Sequence, residues 1–296
     1  MDEQDALRFI EEVVPRSGDD AAFIENLLIS TDMLHQKSDF PPGTTHYTAG
    51  WRSVGASISD IAAMGGDPIA VVAAYSSPNF IKEEISEFIR GAKEVCEISG
   101  AEYVGGDLDT SDEFNVVTTA VGRSVKPVFR KGAKSGDLIC VTGDLGRSAA
   151  AKKLFEGNEN ERANEMFRFK PRVKEGLLIS QYSTSMIDSS DGLIRSLYEV
   201  SKASMCGFEI EAERIPINEV LREVVDSTEL ALKVAMTYGE DFELVFTVPR
   251  EKIKEIEDSI EIGVTIIGEV VEKDIKMDGK LIENEGYTHG QGTVER

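Results

Sequence analysis

Residues 47–76 read YTAGWRSVGASISDIAAMGGDPIAVVAAYS, and a change of period inside them decides the fold class. Trp51, Val54, Ile58 and Ile61 recur at helical spacing as far as Met64, so one face of a helix is apolar. Gly65–Gly66–Asp67–Pro68 stops that helix, because glycine and proline both disfavour its continuation. The apolar run Ile69–Ser76 then reads as a buried strand.

The mixture continues in both directions. Upstream, a helix is predicted around Asp5–Val14, a turn at Pro15–Asp20, a strand within Glu25–Met33, and a loop at Asp39–Thr45. Downstream, Ile85, Phe88, Ile89, Ala92 and Val95 mark one face of a helix over Ile81–Ile98. A short strand into Gly105–Gly106–Asp107 and another over Phe114–Arg123 follow. Lys126–Asp137 is polar, basic and broken by glycine and proline, which suits a boundary between halves. The second half restarts with a strand at Asp137–Gly143 and a helix at Ser148–Phe155. Ser185–Gly192 opens a further helix through Leu193, Leu197 and Val200, and Ile275–Ile282 is a hairpin closed by Asp278–Gly279. Strands and helices mix throughout, so the expectation is an α+β or mixed α/β protein with domains at 1–130 and 131–296. The length of 296 residues agrees, since domains run to roughly 100–200 residues.

Composition narrows the function. The chain has 54 Asp+Glu against 32 Lys+Arg, a net charge of −22. That balance argues against broad nucleic-acid binding and against docking on anionic lipid, both of which need basic surface. The N-terminus is acidic and amphipathic, not a basic signal peptide, and Ile69–Tyr75 is far shorter than the ~20 residues of a membrane span. A cytoplasmic protein is expected. Cys96, Cys140 and Cys206 form no disulfide framework or thiolate zinc site, and His35, His46 and His289 lack zinc-ligand spacing. There is no P-loop, no dinucleotide-binding glycine turn before a helix, and no G-x-S-x-G.

What remains is five aspartate clusters among glycine, serine and threonine: Gly18–Asp20, Ser30–Asp32, Ser59–Asp60, Gly105–Asp107 and Asp188–Gly192. Oxygen donors without His or Cys suit hard cations, and Mg²⁺ is held by few carboxylates together with phosphate oxygens. Each aspartate also has an ordinary role open to it, as a turn residue, a strand end or a helix cap. Asp188 and Asp191 are the sharpest pair. Placed three apart at a helix start, they would point the same way and repel unless a cation lay between them. Gly143–Ser148 is a strand–loop–helix junction suited to phosphate or, more simply, to a helix cap, and Glu243 reads as the solvent-facing alternate of a strand.

The stretches RSGDDAA, LLISTDM, SDIAAMGGDP, YVGGD, RKGAKSGDLICVTGDLG, MIDSSDGL and GEDFELVFTVP together resemble the thiamine-monophosphate kinase family, in that order, from about Arg16 to Pro249. That family lies in the aminoimidazole ribonucleotide synthetase-like superfamily. The resemblance implies two domains, with N-terminal sheets joining into a barrel across a homodimer, and ATP in the cleft. It implies ATP-dependent phosphorylation of thiamine monophosphate with several Mg²⁺ ions. By the same resemblance, Asp20, Ser30, Thr31, Asp32, Asp60, Asp107, Asp188 and Asp191 would bind metal, with Asp60, Asp188 and Asp191 at the reaction. Gly106, Arg130 and Ser190 would meet ATP, and Asp39, Glu240 and Tyr287 would face the thiamine substrate. Asp39 departs from the family's usual His, and LDTSDEF after Gly106–Asp107 departs from its usual Thr-Thr-Arg-Gly. An ATP-using superfamily member acting on another phosphate or amide, and a non-catalytic nucleotide-binding relative, are the alternatives. Selenophosphate synthetase is disfavoured, because no Cys precedes Cys96. The hydrogenase maturation protein is disfavoured by a chain that ends GTVER.

Overall fold

The computed structural model describes residues 3–14 and 16–284. The first half contains helices α1 (Glu3–Val13), α2 (Gln36–Asp39), α3 (His46–Ala63) and α4 (Lys82–Ser99). Its strands β1 (Ala22–Ile24), β2 (Leu27–His35), β3 (Asp67–Ser77), β4 (Glu102–Thr110) and β5 (Asn115–Arg123) form a sheet in the order β1-β2-β5-β3-β4. β4 pairs parallel with β3 because α4 makes the crossover between them, whereas β5 runs antiparallel to both β2 and β3.

The helical period read from 47–76 is the packing face of α3. Val54, Ile58 and Ile61 are fully buried against Val71 and Val116 of the sheet and Phe88 and Val95 of α4. Burying one such side chain contributes about 1.5–3 kcal/mol. α3 and α4 cross where Gly50 meets the Phe88 carbonyl and Gly91 meets the Tyr47 carbonyl, approaches with no room for a Cβ. Among the described residues, the opposite face of the sheet carries exposed Ile29, Met33, Val72, Val104 and Leu108.

The second half has β6 (Leu138–Thr142), β7 (Ser185–Asp188), β8 (Gly207–Ile210), β9 (Leu244–Val248), β10 (Val264–Val271), β11 (Ile275–Met277) and β12 (Lys280–Leu281). They form one sheet in the order β12-β11-β8-β10-β6-β9-β7. The hairpin between β11 and β12 turns through Asp278 and Gly279, both at positive φ, as expected for its Asp-Gly. Helices α5 (Arg147–Glu156), α6 (Asn160–Phe167), α7 (Val173–Ile179) and α8 (Leu193–Ser204) complete what positions the site. Val173 and Leu177 of α7 pack into the first half's core, so the two halves share a buried boundary along α3. Among the described residues no helix is long and apolar enough to cross a membrane.

Candidate active site

Four chain segments meet between the two sheets. The turn before β1 brings Asp19 and Asp20, β2 brings Asp32, the C-terminal part of α3 brings Asp60, and the end of β7 brings Asp188. Carboxylate oxygens of Asp20, Asp60 and Asp188 lie within 4.8 Å of one another. The pleat of β2 alternates faces, so Ser30 and Asp32 turn towards α3 whereas Thr31 turns away. Ser30 Oγ donates to the Ser57 carbonyl at 2.8 Å, and Thr31 Oγ1 donates to the Thr118 carbonyl at 2.9 Å. Thr31 nonetheless lines the same cleft as Asp32 and Asp188.

Asp188 ends a strand instead of starting a helix. It pairs with Leu244 in β9, and α8 begins only at Leu193, after a turn in which Gly192 holds φ +91°. The shared helix face expected for Asp188 and Asp191 is therefore absent, yet both line the same cleft of about 490 Å³. Ser59 Oγ donates to Asp188 Oδ2 at 2.6 Å, and the Ser190 amide to Asp188 Oδ1 at 3.2 Å. Arg130 closes the other side: its amide donates to Asp19 at 2.8 Å and its guanidinium to Asp20 Oδ1 at 2.9 Å.

These carboxyls strain against one another. Burial, and then Asp20, push the Asp19 pKa up to about 6. Asp20 also rises to about 6, through burial and the charge of Asp188 against the opposing pull of Arg130. Burial, followed by neighbouring carboxylates, raises Asp32 and Asp60, and burial raises Asp188. Asp20 Oδ2 and Asp32 Oδ2 are buried without a hydrogen-bond partner among the described residues. Crowded, desolvated oxygen donors with unused lone pairs fit a hard divalent cation.

The same cleft is also lined by Asp39, Arg52, Glu240 and Phe242. Asp39 Oδ2 accepts from the His35 amide at 2.6 Å and Ser38 Oγ at 2.8 Å, which fixes its place on the short α2. Glu240 and Phe242 hold φ of +60° and +55°, a conformation rare for such residues and concentrated at functional sites. Glu240 Oε2 accepts from Arg52 Nη2 at 2.9 Å. Arg52 carried no signal in the sequence beyond being a lone cation on an apolar helix, eight residues before Asp60. The remaining expectations fall elsewhere. Gly106 and Asp107 lie exposed on the edge strand β4, away from the cluster within one chain, and Tyr287 is outside the described residues. Gly143–Ser148 is an internal cap, since Asp241 accepts from the amides of Gly146 and Ser148 at 2.6 and 2.9 Å. Glu243, read as solvent-facing, is buried and paired with Arg172.

Fold and site define a two-domain α/β protein with an acidic, cation-suited cleft between its sheets. Residues 18–124 match the model of the N-terminal domain, and 134–279 that of the C-terminal domain, of AIR synthase related proteins. The chain is 45% identical to the thiamine-monophosphate kinase of Halobacterium salinarum, covering 98% of this chain and 100% of that one. It is 40% identical to that of Methanospirillum hungatei, covering 98% and 99%. The solved structure of AaThiL complexed with AMPPCP and TMP superposes with a TM-score of 0.88 at 27% identity, over 97% of each chain. The chain belongs to the AIR synthase related family and, within it, to the thiamine-monophosphate kinases.

Proposed function

We propose that the protein transfers the γ-phosphoryl group of ATP to the phosphate of thiamine monophosphate, giving thiamine diphosphate and ADP. The observation that carries this reading is the convergence of Asp20, Asp60 and Asp188 within 4.8 Å, between the sheets of a chain with this kinship. The solved relative that holds AMPPCP and TMP together supports the substrate pair.

Asp20, Ser30, Asp32, Asp60, Asp188 and Asp191 would hold Mg²⁺. When bound, the cation supplies charge compensation between two anions that otherwise repel by about 4 kcal/mol per charge pair at 4 Å and an effective dielectric near 20. Arg130 and the Ser190 loop would face the ATP phosphates, while Asp39, Glu240 and Tyr287 would face the thiamine end. No side chain has to act as general base. A phosphate monoester has its second pKa near ~6, so the attacking oxygen is already ionised at neutral pH. The work left to the chain is positioning and electrostatics.

Gly106 and Asp107 belong to the same reading through a homodimer. β4 stands three strand positions from β2, roughly 14 Å at the usual strand spacing. The sheet face with exposed Ile29, Met33, Val72, Val104 and Leu108 would join its copy as a barrel, and each β4 would then serve the neighbouring site. The acidic composition suits work in the cytoplasm. Incubation with ATP, Mg²⁺ and thiamine monophosphate tests the reaction: thiamine diphosphate is the expected product. Turnover of a different phosphate or amide alone would assign the chain another reaction of its family.

A further inference from the structure

We propose that Arg52 is the positioning residue for the acceptor end of the cleft, its guanidinium holding the Glu240 carboxylate in the direction that receives the thiamine moiety. The inference rests on the reaction proposed above and adds a residue to it.

Arg52 is 1% exposed, on a helix whose neighbouring faces are apolar. Its guanidinium lies 3.6 Å from the Phe167 ring centroid and 5.4 and 5.7 Å from those of Phe169 and Phe242, which stack on each other at 4.0 Å. Nη1 donates to the Phe167 carbonyl at 2.7 Å and Nη2 to Glu240 Oε2 at 2.9 Å, while Nε has no hydrogen-bond partner among the described residues. A desolvated cation needs an anion in contact, and Glu240 is that anion.

The dependence also runs the other way. Glu240 sits in a left-handed conformation, its amide donating to the Ser190 carbonyl at 2.6 Å and its carbonyl accepting from Ser148 Oγ at 2.6 Å. With the main chain pinned on both sides, the bond from Arg52 selects the direction of the carboxylate. Arg52, Ala56 and Asp60 follow at i, i+4 and i+8 on α3, and Ser59, next to Asp60 and about two turns from Arg52, reaches Asp188. One helix thus orients both the cation-holding acids and the acceptor-facing acid. Lysine could not replace the fork, because it cannot stack on Phe167 while bonding in two fixed directions.

The test measures KM for thiamine monophosphate and for ATP in the full chain and in Arg52→Met, Arg52→Lys, Glu240→Gln and the Arg52→Met/Glu240→Gln double variant. The acceptor KM should rise at least tenfold in Arg52→Met and several-fold in Arg52→Lys, with the KM for ATP within about twofold. The double variant should be no worse than Glu240→Gln, because Arg52 acts through Glu240. Multiplying effects in the double variant, or equal rises in both KM values, would overturn the proposal. If Arg52→Met does not fold, Arg52→Lys decides alone, and an unchanged acceptor KM there overturns it. A wild-type chain inert towards thiamine monophosphate sinks the reaction itself, an outcome distinct from these.

Discussion

Ser59 Oγ lies 2.6 Å from Asp188 Oδ2, so the helix of the first half holds a carboxylate offered by the second half's sheet. Both residues are buried. A partner that orients a metal-facing carboxylate typically changes metal affinity by 10–100-fold when removed. Ser59→Ala should raise the Mg²⁺ concentration for half-maximal activity about tenfold, with a small change in thermal midpoint. An activity titration against Mg²⁺ checks this.

Asp60→Asn and Asp188→Asn remove charge from the centre of the cluster without changing its volume. Turnover should fall by at least ~100-fold at saturating Mg²⁺, because electrostatic stabilisation of the transferring group is the site's main contribution. Circular dichroism should show a folded chain in each case. Steady-state assays at increasing Mg²⁺ separate lost chemistry from weakened binding.

Metal-free protein should become less stable as pH rises. Burial and neighbouring carboxylates raise Asp19 and Asp20 from 3.8 to about 6 in the fold. A carboxyl with a raised folded-state pKa binds its proton more tightly folded than unfolded. Its contribution is full below the unfolded pKa and is lost as pH climbs through the folded one. In EDTA the thermal midpoint should therefore drop between pH 4 and pH 7, by roughly 5 °C or more. Mg²⁺ should restore more stability at pH 7.5 than at pH 5. Scanning calorimetry at both values, with and without Mg²⁺, reads the sign directly.

Arg172 Nε donates to Glu243 Oε2 at 2.7 Å, and Thr142 Oγ1 donates to the same carboxylate oxygen at 2.6 Å. The Glu243 main chain in turn locks the loop after Asp188: Ser189 N donates to its carbonyl at 2.8 Å, and its amide donates to Ser189 Oγ at 2.9 Å. Removing one partner of a buried pair costs about 3–5 kcal/mol. Arg172→Met should lower the thermal midpoint by roughly 10 °C, measured by calorimetry.

The elements were legible where local pattern and tertiary packing agree. α3 and β3 fall where the change of period at Gly65–Gly66 puts them, because the apolar stripe of α3 is also its buried face. The Asp-Gly hairpin is legible for a similarly local reason: its turn residues set their own dihedrals. Asp188 was harder. A short strand before a helix looks like a helix start until its pairing with β9 is known, and that pairing joins Asp188 to Leu244, far beyond the reach of a local pattern. Arg52 was illegible, because the Glu240 that gives it meaning is 188 residues away in sequence. Thr31 and Asp32 turn to opposite faces of β2 because neighbouring strand residues alternate, a difference that adjacency in the sequence does not display. Glu243 fails by the same alternation rule in reverse: it immediately precedes β9, whose residues are all buried, so no alternate position there meets solvent.

The most direct test of the central claim is phosphorus NMR of the protein with ATP, Mg²⁺ and thiamine monophosphate. The account predicts equimolar ADP and thiamine diphosphate, with the thiamine monophosphate resonance consumed and no free phosphate released. ATP hydrolysed to ADP and free phosphate while thiamine monophosphate stays intact would contradict it.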